Sequence, residues 1–169
     1  MSRGNLQRIQ IRKKVETARK YLTFRLGGEA YGINMLYVRE IAGRQDIAPI
    51  SMVPSYVKGV ITKFDETIPV VDLRKRLGLP EAASTGRACI VIVEIVQRLK
   101  MVCGLLVDAI EEVNTIPADA IVMAPDAGEN FVLGVAELDS GPRVLLNIYR
   151  VLDPEEIPLI ETTRALRVV

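Results

Sequence analysis

The sequence predicts an all-β protein built from a duplicated unit, and three observations lead there. Short β-branched runs recur through the body with Gly, Pro or Asp between most of them, the spacing of a barrel or sandwich. In Tyr21–Leu26, Leu22, Phe24 and Leu26 alternate with Tyr21, Thr23 and Arg25, the period of a half-buried strand. Two blocks of chain also recur in the same order: 59–77 aligns without gaps on 134–152 at an offset of 75, and 32–41 on 104–113 at an offset of 72. A period above 70 residues is too long for a solenoid, so two similar β subdomains are expected, a first of about 21–85 and a second of about 86–152. Gly78–Arg87, with Pro80, Ser84 and Gly86, is the natural connector.

The elements follow in order. Residues 1–20 hold seven basic side chains (Arg3, Arg8, Arg12, Lys13, Lys14, Arg19, Lys20) against Glu16, and read as a solvated arm with a weak helical seam at Ile11, Val15, Ala18 and Leu22. After Tyr21–Leu26, Gly27-Gly28 supplies a turn and Glu29–Ile33 returns as the second arm of a hairpin. Further strands are expected at Val57–Ile61, Thr67–Val71, Ala88–Ile95, Lys100–Val107, Phe131–Leu138 and Arg143–Ile148, with a turn near Ser55 and a short helix at Leu73–Leu77. Asp153, Pro154 and Glu156 look like an N-cap, a first-turn proline and an N3 acid, so residues 153–169 are expected to form a C-terminal helix or tail.

Composition restricts the chemistry. Of 169 residues 49% are hydrophobic and 25% charged, and Lys+Arg (22) nearly balance Asp+Glu (21). This is the profile of a soluble globular chain with enough length for a core. The longest run without a polar side chain, Met101–Val107, falls far short of the ~20 residues of a membrane-spanning helix, so no membrane insertion is expected. Cys89 and Cys103 have no CxxC spacing, and no signal peptide is visible; a cytoplasmic setting is the expectation. Histidine is absent, which removes the imidazole that Ser-His-Asp and Cys-His mechanisms use and weakens any case for zinc. Trp is absent and Tyr and Phe total eight, a poor supply of stacking platforms for single-stranded nucleic acid.

Few motifs carry catalytic chemistry. Ser55-Tyr56-Val57-Lys58 has the S-x-x-K spacing, yet the S-D-N and K-T-G elements that accompany such a site are missing, and a turn before a strand explains it. No glycine-rich phosphate loop occurs. Glu111-Glu112 and Glu155-Glu156 are candidate acids or metal ligands only on paper: adjacent strand residues point to opposite faces, so Glu111 and Glu112 are not expected to converge. No catalytic residue, metal site or cofactor is expected. A duplicated β module without catalytic equipment reads as an adaptor, with sites in the crevice between its units or at exposed strand edges.

Phe24-Arg25-Leu26-Gly27-Gly28-Glu29-Ala30-Tyr31-Gly32-Ile33-Asn34 and Val38-Arg39-Glu40-Ile41, followed by Pro54 and Tyr56-Val57-Lys58-Gly59-Val60-Ile61, resemble the CheW chemotaxis coupling family. Ile68-Pro69-Val70-Val71-Asp72-Leu73-Arg74, Gly104-Leu105-Leu106-Val107-Asp108, Leu145-Leu146-Asn147-Ile148 and Leu152 continue the resemblance, which covers about 21–152. It implies two tandem SH3-like, five-stranded β-barrels and no enzymatic activity. It also implies two partners, the cytoplasmic tip of a chemoreceptor and the regulatory domain of the histidine kinase CheA, at the cytoplasmic face of receptor arrays. By position, a receptor groove would use Val38, Glu40 and Ile41 from the first unit, facing Ile90, Gly104, Ile110 and Val113 from the second; ordinary barrel core is the competing role for Val38, Ile110 and Val113. Kinase contacts would fall near Ile47, Ile50, Met52, Gly59, Ile61 and Thr62.

One stretch departs from the pattern. Where the family shows Asn-Leu-Arg-Gly, with an arginine that contributes to receptor coupling, this chain has Thr62-Lys63-Phe64-Asp65. Phe64 occupies the arginine's place in the receptor set, and Lys63 can supply the cation only if the turn re-aims it. The expectation is a divergent receptor or a specialised signalling system. Two alternatives stand beside the chemotaxis adaptor: an adaptor of a chemotaxis-like pathway with another output, and a small β-barrel nucleic-acid binder using the basic arm. The second is disfavoured by the acidic body and scarce aromatics, so no nucleic-acid partner is expected.

Overall fold

The structure is a computed structural model and describes residues 18–81, 86–97, 100–126 and 130–153. Among these residues there are eleven strands: β1 (Arg19–Leu26), β2 (Glu29–Asn34), β3 (Val38–Gly43), β4 (Val57–Lys63), β5 (Glu66–Asp72), β6 (Cys89–Val96), β7 (Lys100–Val107), β8 (Ala109–Ile116), β9 (Ile121–Met123), β10 (Val132–Leu138) and β11 (Gly141–Leu146). Two four-residue helices, α1 (Leu73–Arg76) and α2 (Ile148–Val151), follow β5 and β11. The all-β expectation holds. The helix expected to open at Asp153 and the arm's residues 1–17 lie outside the described residues.

The duplication extends through the strands. Shifted by 75, β4 falls on β10, β5 on β11 and α1 on α2; shifted by 70, β1 falls on β6. β2 and β3, shifted by 72, fall within β7 and β8. The sheets, however, do not divide at residue 85. One runs β8-β1-β2-β11-β10-β9 and the other β3-β6-β7-β5-β4. Each therefore takes its first hairpin from the opposite repeat, and the subdomain boundaries expected from sequence need that correction. The cause is local: β2 leaves through the single turn Met35–Tyr37 and β7 through Asp108 alone, so β3 and β8 begin beside the other repeat's hairpin.

This exchange explains the hydrophobic runs. Val91, Val93 and Ile95 of β6 join a cluster that also holds Leu22, Phe24 and Leu26 of β1, so this core lies between the two sheets. Ile90 and Ile92 point the other way, into a second cluster with Ile61, Ile68, Val70 and Val102. A third, smaller cluster of Tyr21, Ile116, Ala136 and Leu145 fills the corresponding side of the six-stranded sheet. Strands buried on both faces need apolar residues at successive positions, and each fully buried aliphatic contributes roughly 1.5–3 kcal/mol.

Two glycines mark close backbone approaches at repeat-related places. A Cβ on Gly59 would lie 2.1 Å from the Ala48 carbonyl oxygen, and one on Gly134 would lie 2.4 Å from that of Val122. Both sit at β-bulges where a short outer segment adds to the hairpin. Arg76 of α1 crosses to the second repeat, donating from Nε to the Val151 carbonyl at 2.8 Å and from Nη2 to that of Arg150 at 3.1 Å. Its guanidinium lies 4.7 Å from the Tyr56 ring centroid and 4.8 Å from that of Phe131.

Candidate functional site

Cross-strand neighbours share a face of a sheet. Val38 and Ile41 lie opposite Val93 and Val91, and thus face the cluster between the sheets from β3. Ile110 and Val113 lie opposite Phe24 and Leu22, and face the same cluster from β8. Val38 and Ile110 occupy equivalent repeat positions and pack half-buried against this core. Ile41 and Val113 are also equivalent and remain 45% and 49% exposed. β3 and β8 are edge strands, with no further strand paired on their outer side among the described residues. The result is an apolar rim on two related strands, at the boundary of the shared core.

Not every expected groove residue belongs to it. Ile90 is 1% exposed and points into the closed side of the five-stranded sheet, where its Cγ2 would lie 2.7 Å from a Cβ on Gly104. Gly104 is itself buried, and its missing side chain makes room for Ile90 and Val70. Both are corrected from groove lining to core packing. The same holds in the expected kinase set for Gly59, needed for the Ala48–Val60 bridge, and for Ile61, a core residue. Ile47 and Ile50 are partly buried against the cores, whereas Met52 and Thr62 are exposed.

Charge closes the five-stranded sheet on itself. Lys63 Nζ at the end of β4 lies 3.0 Å from Glu40 Oε1 on β3, and Arg39 Nη1 lies 3.6 Å from Glu66 Oε2 on β5. The first pair joins the sheet's two edge strands, β4 and β3, and the second joins β3 to β5. They depend on the β4–β5 turn, where Phe64 and Asp65 both have positive φ, 54° and 56°. That is the backbone pattern of a type I′ hairpin. The turn therefore aims Lys63 at Glu40, while Phe64 stays 45% exposed with the Arg39 guanidinium carbon 4.3 Å from its ring centroid.

The second repeat closes through a different set. Glu111 is the extra residue at a β-bulge, since Thr23 pairs with Glu112 and Phe24 with Ile110. The bulge overrides strict alternation, and Arg143 Nη2 reaches both Glu111 Oε2 (3.3 Å) and Glu112 Oε1 (3.8 Å). The expected divergence of these carboxylates is thus corrected. Glu111 also pairs with Arg25, and Arg143 Nη2 donates to Ser140 Oγ at 3.0 Å. The pair serves to hold β8 onto β11.

Sequence reasoning also missed Asp108 as a tie between sheets. Its Oδ2 accepts from the Gly27 backbone N–H at 2.7 Å, and its carboxylate accepts from Arg74 Nε at 2.8 and 2.9 Å. The hydrogen bond that Arg74 donates to Asp108 is the leading cause of an Arg74 pKa raised above its ordinary value. Both residues end quoted motifs, but nothing in their 34-residue separation signals the contact. A pocket of about 410 Å³ beside this tie is bordered by Arg44, Lys58 and Arg74 and by Asp46, Asp72 and Asp108, so its charge favours neither anion nor cation. Among the described residues no cluster of three or more Cys, Asp or Glu could hold a metal, and no helix is long and apolar enough to cross a membrane.

Two interleaved β sheets with apolar rims on repeat-related edges define a protein-binding scaffold. Residues 20–158 match the CheW-like domain model. The chain is 32% identical over 142 residues to the chemotaxis protein CheW of Rhizobium meliloti (strain 1021), covering 82% of this chain and 90% of that protein. It is 30% identical over 146 residues to the Bacillus subtilis (strain 168) chemotaxis protein CheW, covering 84% and 92%. The crystal structure of the scaffolding protein TtCheW from Thermoanaerobacter tengcongensis superposes with a TM-score of 0.73 at 29% identity, covering 80% of this chain and 93% of that one. The chain belongs to the CheW-like family of chemotaxis proteins.

Proposed function

We propose that this chain is a non-catalytic cytoplasmic adaptor that couples the tip of a chemoreceptor to the regulatory domain of the histidine kinase CheA. The observation that carries the reading is the pair of equivalent edges, β3 and β8, each presenting an uncovered aliphatic residue beside the core between the sheets. An amphipathic receptor helix laid along that rim covers Ile41 and Val113 and touches the half-buried Val38 and Ile110. Glu40, held by Lys63, fixes the strand edge rather than meeting the receptor as a free charge. Met52 and Thr62 are the members of the expected kinase set with exposed side chains, and we assign the kinase contact to their side of the first repeat.

Reconstitution tests this. Purified chain, cognate receptor cytoplasmic fragments and CheA should form a ternary complex in which kinase autophosphorylation rises several-fold over kinase alone. Val113→Asp and Ile41→Asp should each weaken receptor binding while leaving the thermal midpoint and CheA binding unchanged, because both side chains are about half exposed. Absence of the ternary complex, or unaltered receptor binding in both variants, refutes the assignment.

A further inference from the structure

Phe64 is placed at a cost. A hairpin turn with two positive φ angles ordinarily takes Asn, Asp or Gly, and a bulky side chain there stores strain that the surroundings must hold in place. Burial does not account for it, because the ring is 45% exposed. Arg39 at 4.3 Å and Lys63 at 5.8 Å are the cations set against the ring. Each of them already faces a carboxylate, Glu66 for Arg39 and Glu40 for Lys63. What this corner offers outward is consequently an aromatic surface whose two neighbouring cations are each paired with a carboxylate.

We infer that Phe64 is a specificity-determining contact, and that the receptor residue meeting it is an aliphatic side chain rather than a carboxylate. This rests on the proposed receptor-binding role of β3. An acidic side chain arriving here would be desolvated against a ring while both adjacent cations are engaged, which disfavours it. An aliphatic side chain would cover the exposed ring and lose nothing. The two halves of the corner thus divide the work: Lys63 ties the turn to Glu40, and Phe64 selects the partner.

The test compares Phe64→Asn, Phe64→Leu and the unaltered chain in calorimetric titrations with receptor cytoplasmic fragments and, separately, with CheA. Asn suits the positive φ, so Phe64→Asn should keep or raise the thermal midpoint while receptor affinity falls about tenfold and kinase affinity stays unchanged. Phe64→Leu should hold receptor affinity to within about threefold, since the apolar contact survives. Unchanged receptor affinity in Phe64→Asn overturns the inference while leaving the adaptor role standing. A lowered thermal midpoint in Phe64→Asn, or an equal loss in Phe64→Leu, overturns it too. Failure of the unaltered chain to bind receptor fragments overturns the adaptor role and this inference together.

Discussion

Replacing Arg76 by Met probes the joint between the repeats. Arg76 is 8% exposed and gives two hydrogen bonds to the last carbonyls of α2, at 2.8 and 3.1 Å, from a guanidinium flanked by Tyr56 and Phe131. Hydrogen bonds from a charged donor contribute roughly 1.5–3 kcal/mol each, and each cation–π contact about 0.5–2 kcal/mol. Methionine keeps most of the apolar volume and regains sulfur–aromatic contact of about 0.3–1.5 kcal/mol, but leaves both carbonyls without this donor. The expected net loss is about 3–5 kcal/mol. Arg76→Lys, which keeps a point charge without the fork, should lose about 1–2 kcal/mol. In urea, with a slope of roughly 2–3 kcal/mol per molar, the Met variant's midpoint should fall by about 1–2.5 M. A loss below about 1 kcal/mol would show that the guanidinium is not what holds α2 to the first repeat.

Three further outcomes follow from the same structure. Gly59→Ala must separate the Ala48–Val60 backbone bridge, whose two hydrogen bonds are 2.9 Å, and should destabilise by about 2–5 kcal/mol in the same urea assay. Burial, with a hydrogen bond involving Tyr149, pushes the Tyr37 phenol up to about 12. The unfolded chain then ionises first, so stability is intact below about pH 10 and falls between about pH 10 and 12 by at most ~1.4 kcal/mol per unit; Tyr37→Phe should flatten that decline in urea midpoints measured at pH 9, 10 and 11. Burial likewise pushes the Cys103 thiol up to about 12 and raises that of Cys89. Neither thiol of the native chain should react with a disulfide reagent at pH 8, and both should react after unfolding.

Residue order by itself determined the all-β class, the repeat and most strand positions, because alternation, β-branched runs and turn residues act over neighbouring positions. Lys100–Val107 was legible to the residue, and Leu73–Leu77 nearly so. β3 and β8 are absent from the strands expected from the residues, since Arg39-Glu40 and Glu111-Glu112 interrupt their apolar pattern. Those charges have partners far along the chain, such as Lys63 for Glu40 and Arg143 for Glu111, which local periodicity does not register. Tertiary structure alone decided the exchange of hairpins between repeats, the burial of Ile90 and Gly104, and the bulge that turns Glu111 toward Arg143. It also decided that Lys63, and not Phe64, grips Glu40, because two left-handed residues in a turn can rotate a side chain across a strand edge. The physical reason is one of range: strand propensity is set within a few residues, whereas which face is covered depends on segments brought together from tens of positions away or more.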